Sequence, residues 1–176
     1  MKLITALVAG LVAAAFAAPA FAQEAPPTNP WPGKKTKIAF WVGTVTAGPG
    51  ESIYGVNAAS ACVETNLFPR GEGVVFRMAA FNARTGEIIE ADDVKYAYIK
   101  IPGQPNLALR YTPHGRVATA PWYWGKRWDI PLDYPLGVVN FEIVVKLKGK
   151  GNVIGIFKQA PLPPAQLTVV EKRLPL

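Results

Sequence analysis

From Gly73 to Lys158 apolar and polar residues alternate with a period of two, the spacing at which successive β-strand side chains point to opposite faces. Val74, Phe76 and Met78 alternate with Val75, Arg77 and Ala79, and the run ends at the turn signal Asn82-Ala-Arg-Thr-Gly86. Val94 to Ile101 places Lys95, Ala97, Ile99 and Ile101 opposite Val94, Tyr96, Tyr98 and Lys100. After Pro102-Gly-Gln-Pro105, Leu107 to Tyr111 reads as one further strand and Trp122 to Asp129 as an aromatic one. Val138 to Leu147 is the strongest strand, and Lys148 to Asn152 turns it back into Val153 to Lys158.

Outside this region Lys37 to Val42 predicts a first strand, with Ile38, Phe40 and Val42 on one face, and Leu167 to Val170 a last one. Residues 43–61 mix Gly, Pro, Ser, Ala and Asn without a period and predict a long loop, or a loop with a short helix around Ile53 to Ala61. Glu87 to Asp93 reads as an acidic connector or edge, and Thr112 to Pro121 as a loop carrying His114. About seven short strands with frequent turn signals predict an all-β protein, an antiparallel β-sandwich, with a closed barrel second.

Phe68-Pro-Arg-Gly-Glu-Gly-Val-Val-Phe-Arg77, then Asn82 to Gly86, then Asp92-Asp-Val94 to Ile101, resembles the cadence of bacterial immunoglobulin-like and macroglobulin-type modules. Trp128-Asp-Ile-Pro131 with Tyr134-Pro-Leu-Gly137 is similar to their late corner. The resemblance covers about residues 63–158 and implies an immunoglobulin-like antiparallel β-sandwich of about seven strands; it carries no catalytic signature.

The N-terminus changes the picture of where such a domain works. Lys2, the apolar stretch Leu3 to Ala18 and Ala20-Phe-Ala22 have the order of a cleavable signal peptide over 1–22. Gln23 to residue 36, with Pro26, Pro27, Pro30 and Pro32, predicts a Pro-rich flexible lead before a domain spanning 37–176. Export to a periplasm or beyond is therefore expected, with no transmembrane span after cleavage, because no later run approaches the roughly 18 to 20 apolar residues required.

Losing Lys2 lowers the formal charge from +7 to +6, a moderate basic excess that is mostly scattered, Arg70, Arg77, Arg84, Arg110 and Arg116 among its members. That balance suits solubility or an acidic envelope partner, and export argues against nucleic acid. A single cysteine, Cys62, excludes an internal disulfide, so burial alone must hold the fold. The thiol reads first as a small buried hydrophobe, then as an intermolecular bridge or a ligand.

Cys62 and the only histidine, His114, are the residues that could hold copper or another soft metal, with Met78 as a further donor, although a blue-copper site ordinarily uses two histidines. A Cys/His dyad would need a depressed thiol pKa, which Arg116 could supply, and a third orienting group. Glu87, Glu90, Asp92 and Asp93 read as solvation of the connector. The aromatic strand has most binding potential: Trp122, Tyr123, Trp124, Lys126, Arg127 and Trp128 form either part of the core or a platform for a partner. Parity puts Trp122, Trp124 and Trp128 on one face and Tyr123 with Arg127 on the other.

The expected function is that of an exported, non-catalytic binding or accessory module of a bacterial envelope assembly, without cofactor, whose partner is an envelope protein, acidic or redox-active. The alternative is a small periplasmic metal or redox carrier using Cys62 and His114.

Overall fold

The computed structural model describes residues 37–48, 50, 52–56, 58–115, 117–149, 152–159, 161 and 166–171. The expected signal peptide and Pro-rich lead and Arg116 lie outside the described residues. Among the described residues, apart from one turn of 3-10 helix at Ala91–Asp93, the regular elements are strands.

One antiparallel sheet consists of β1 (Ile38–Thr46), β3 (Gly73–Asn82), β7 (Trp122–Asp129) and β6 (Arg110–Pro113), in the order β1-β3-β7-β6. A second consists of β10 (Ile154–Lys158), β9 (Glu142–Leu147), β4 (Val94–Lys100) and β5 (Leu107–Ala108), in the order β10-β9-β4-β5. A small third sheet joins β2 (Leu67–Pro69), β11 (Thr168–Val170) and β8 (Gly137–Val138), with β2 and β11 parallel.

Alternation turns into a core in the expected way. Val74, Phe76, Met78 and Ala80 of β3 are buried in one cluster with Ala97 and Ile99 of β4 and Ile143 and Val145 of β9. Phe76 meets Phe141 edge-on with ring centroids 5.0 Å apart. Where the sheets approach at β1 and β10, only glycine fits: a Cβ on Gly155 would lie 2.8 Å from both Ile38 Cβ and Phe40 Cζ.

Two predicted strands prove to be composite. Leu107 to Tyr111 divides into β5, paired to β4, and β6, paired to β7, with buried Leu109 between them giving its N–H to Ala97 O at 2.9 Å. Val138 to Leu147 likewise divides into β8 and β9, with Val139 N–H on Leu167 O at 2.8 Å. The in–out period continues through each corner while the partner strand changes, so the pattern alone does not reveal the crossing.

Parity in β4 also departs from simple alternation, because a register shift between Val94 and Tyr96 turns both Val94 and Ala97 inward. Strand β1 runs four residues past its expected end because Gly43–Thr46 continue the ladder opposite Val74–Arg77. Beyond it the chain turns, with no helix among the described residues of 47–63. Nor is any helix among the described residues long and apolar enough to cross a membrane.

Candidate functional site

Arg77 begins the site. Its neighbours Phe76 and Met78 are fully buried, so alternation along β3 turns Arg77 to the face opposite the core. Its register partners are Gly43 on β1 and Gly125 on β7, neither of which places a side chain beside it. Tyr123, two residues before Gly125, occupies the same face, and the Arg77 Cζ lies 5.5 Å from its ring centroid.

His114 follows β6 directly, and its N–H donates to Pro121 O at 2.8 Å, closing the loop back towards β7. Its ring packs on Tyr123 with centroids 4.7 Å apart. Cys62 comes from a different direction, out of the turn after Ser60. Thr46, buried at the end of β1, fastens that turn: its Oγ1–H donates to Ser60 O at 2.6 Å and accepts Val63 N–H at 3.0 Å, while its carbonyl takes Cys62 N–H at 2.9 Å. These bonds hold Cys62 at φ 60°, a left-handed conformation that an L residue adopts at a cost of about 1–2 kcal/mol.

Fifty-two positions apart in sequence, the two side chains meet, with Cys62 Sγ 3.9 Å from His114 Nε2. Arg77 Nη2 lies 2.8 Å from the same nitrogen. A guanidinium can only donate, so Nε2 is the acceptor and the ring proton resides on Nδ1. Desolvation, with Arg77 adding to it, lowers the His114 pKa below its ordinary 6.5 and keeps the ring neutral at pH 7. Desolvation raises the Tyr123 hydroxyl pKa, with Arg77 opposing and Cys62 reinforcing that direction.

Two polar atoms of the cluster, Arg77 Nε and the Tyr123 hydroxyl oxygen, are buried without a hydrogen-bond partner. The arrangement thus offers one exposed sulfur nucleophile, a neutral imidazole beside it and a cation hydrogen-bonded to that imidazole. Among the described residues no three His, Cys, Asp or Glu side chains gather as a metal-ligand group. A cleft of about 400 Å³ opens beside the edge strand β1, lined by Thr44, Glu64, Asn66, Phe157 and Gln159, and includes neither Cys62 nor His114.

No family model, curated protein or solved structure matches the chain.

Several sequence expectations change. Cys62 is exposed, contrary to its first reading as a buried hydrophobe, because its turn is hydrogen-bonded along the edge of β1 at Thr44 and Thr46 rather than packed between sheets. Met78 cannot join the thiol and imidazole, since it is fully buried in the core while its neighbour Arg77 faces them. The aromatic platform does not exist as one surface. Trp124 and Trp128 are core residues, and Trp124 Nε1–H donates to Ile89 O at 3.1 Å. Lys126 is half-buried and Arg127 is tied to Asp129 at 2.6 Å. Of that set Tyr123 alone joins the Cys62–His114 cluster, while Trp122 stays exposed and stacks on Tyr111 at 5.5 Å.

The acidic connector pairs with the end of β3 through an Ile88–Phe81 bridge, and Glu90 and Asp93 form a capping box around the 3-10 turn. Arg77 was missed as a site residue. Its signal was available: it is the only charged residue in the alternating run from Val74 to Ala80.

Proposed function

We propose that the protein is exported and that its β domain is an immunoglobulin-like sandwich serving as a non-catalytic binding or accessory module of a bacterial envelope assembly. Strand order supports the fold reading. With β1, β3, β7 and β6 taken as strands A, B, E and D, and β10, β9, β4 and β5 as G, F, C and C′, both four-stranded sheets have the order of an immunoglobulin domain. The N-terminal signal pattern and the basic excess support an envelope location and an acidic partner.

The observation carrying the binding reading is the convergence of Cys62, Arg77, His114 and Tyr123, from four separate segments, on the face away from the core. The partner surface is therefore centred there and not on the tryptophan row. The test expresses the full chain in a bacterium, locates it by fractionation, and weighs the product for loss of residues 1–22. Envelope proteins that co-purify are then compared across variants: Tyr123→Ala is expected to lower recovery of the partner at least about tenfold, and Arg84→Ala to leave it unchanged. Undiminished recovery with a folded Tyr123→Ala variant would sink this placement.

One observation favours the carrier reading. Metal–sulfur and metal–nitrogen bonds of about 2.3 and 2.0 Å would span a separation such as the 3.9 Å between Sγ and Nε2. Arg77, hydrogen-bonded to Nε2 and positively charged, opposes a cation there and makes this the second reading. Elemental analysis of the purified protein separates the two: a carrier holds a soft metal that Cys62→Ala abolishes.

A further inference from the structure

We infer that Cys62 captures its partner covalently, by thiol–disulfide exchange, forming a mixed disulfide with a disulfide-bearing molecule at the Cys62–His114–Arg77 cluster. This deepens the binding reading and rests on its oxidising, extracytoplasmic setting. Three features carry it. The thiol is exposed and held in a fixed turn, with an imidazole acceptor nitrogen 3.9 Å away. The Arg77 guanidinium, 2.8 Å from the same imidazole nitrogen, can turn from it to face a developing negative sulfur. The chain contains no second cysteine, so no resolving thiol can displace what Cys62 has bound.

The step balances without any further reagent. The Cys62 thiol proton passes to His114 Nε2 as Arg77 swings off that lone pair, and Sγ attacks one sulfur of R–S–S–R′. The new Sγ–S–R bond forms while the S–S bond breaks, its electron pair leaving on R′–S⁻, which takes the proton from Nε2 and departs as R′–SH. Cys62 is oxidised to the disulfide level and R′ reduced to the thiol. Exchange stops at the mixed disulfide, and an external thiol reverses it, so one event per chain is capture and not turnover.

His114 acts on the reacting proton, and Arg77 is a positioning residue that keeps Nε2 the accepting nitrogen. Metal or copper chemistry at the same atoms would compete with exchange, since a thiolate bound to a cation is no longer free to attack.

The experiment treats reduced, purified full-chain product with oxidised glutathione and follows intact mass. The native protein is expected to gain one glutathionyl group per chain, lost again on adding a reductant, and Cys62→Ser to gain none. His114→Asn is expected to slow the gain at least about tenfold while its urea midpoint stays within reach of the native protein's. Nitrogen NMR of the His114 ring is expected to report the Nδ1–H tautomer in the native protein and a mixture in Arg77→Gln, a signature that a merely structural arginine would not move.

The inference is overturned if the native protein takes no glutathionyl group while the urea-unfolded chain does, or if folded His114→Asn reacts at the native rate. Partner recovery that survives Cys62→Ser would refute covalent capture and leave the binding module intact. An adduct that forms normally in a protein with no envelope partner would refute the module instead.

Discussion

At the scale of the residue, Cys62 is where backbone and chemistry oppose one another. Its left-handed φ of 60° costs an ordinary side chain about 1–2 kcal/mol, which the turn's hydrogen bonds to Thr46 offset. Glycine has no such cost, so Cys62→Gly is expected to be more stable than Cys62→Ala by about 1 kcal/mol in urea unfolding, and the reverse order would contradict the conformation. Thr46→Val keeps the shape and removes the hydroxyl that serves Ser60 O and Val63 N–H. It is expected to cost about 1–3 kcal/mol and to quicken hydrogen exchange at the Cys62 amide. An unaltered exchange rate would mean that Thr46 does not hold the turn.

At the scale of the element, β7 divides its aromatic side chains between two tasks, and the division follows from strand parity. Trp124 and Trp128 both enter the core, but they are differently satisfied: Trp124 Nε1–H reaches Ile89 O, and Trp128 Nε1 is buried without a partner while its ring meets Tyr134 edge-on. Replacement by Phe removes similar volume at each site and a made hydrogen bond only at the first. Trp124→Phe should therefore lose about 1 kcal/mol more than Trp128→Phe, a difference read from paired denaturation curves. The β1–β10 approach is equally specific. Gly155→Ala forces a Cβ within 2.8 Å of Ile38 and Phe40 and is expected to cost about 1–3 kcal/mol by overpacking. A neutral effect in calorimetry would show that the two strands can part there.

At the scale of the whole molecule, two groups set opposite pH dependences of stability. Glu72 is buried, and desolvation raises its carboxyl pKa above the ordinary 4.5. Its share of stability is therefore complete below 4.5 and is lost as pH rises through the folded-state value. His114 runs the other way: its lowered pKa makes its share complete above 6.5 and lost as pH falls through the folded-state value. Urea midpoints measured from acid to neutral pH are expected to lose the alkaline-side decline in Glu72→Gln and the acid-side decline in His114→Asn. Curves that keep both declines would assign them to other groups.

Much of this molecule was legible along the chain because β-strand side chains alternate whatever sheet they enter. The all-β class, the inward faces of β3 and β9 and the opposite parities of Trp124 and Tyr123 follow from a period of two and need no partner strand to be known. What alternation cannot encode is pairing. Only tertiary structure decided that Leu107 to Tyr111 and Val138 to Leu147 cross between sheets, and that a bulge turns Val94 inward. The same holds for the site: Cys62 and His114 are recognisable by residue type, but their meeting over Arg77 depends on strand order and on a turn anchored by Thr46. Residue chemistry is a local property and travels with the sequence; proximity across 52 residues is a property of the folded chain alone.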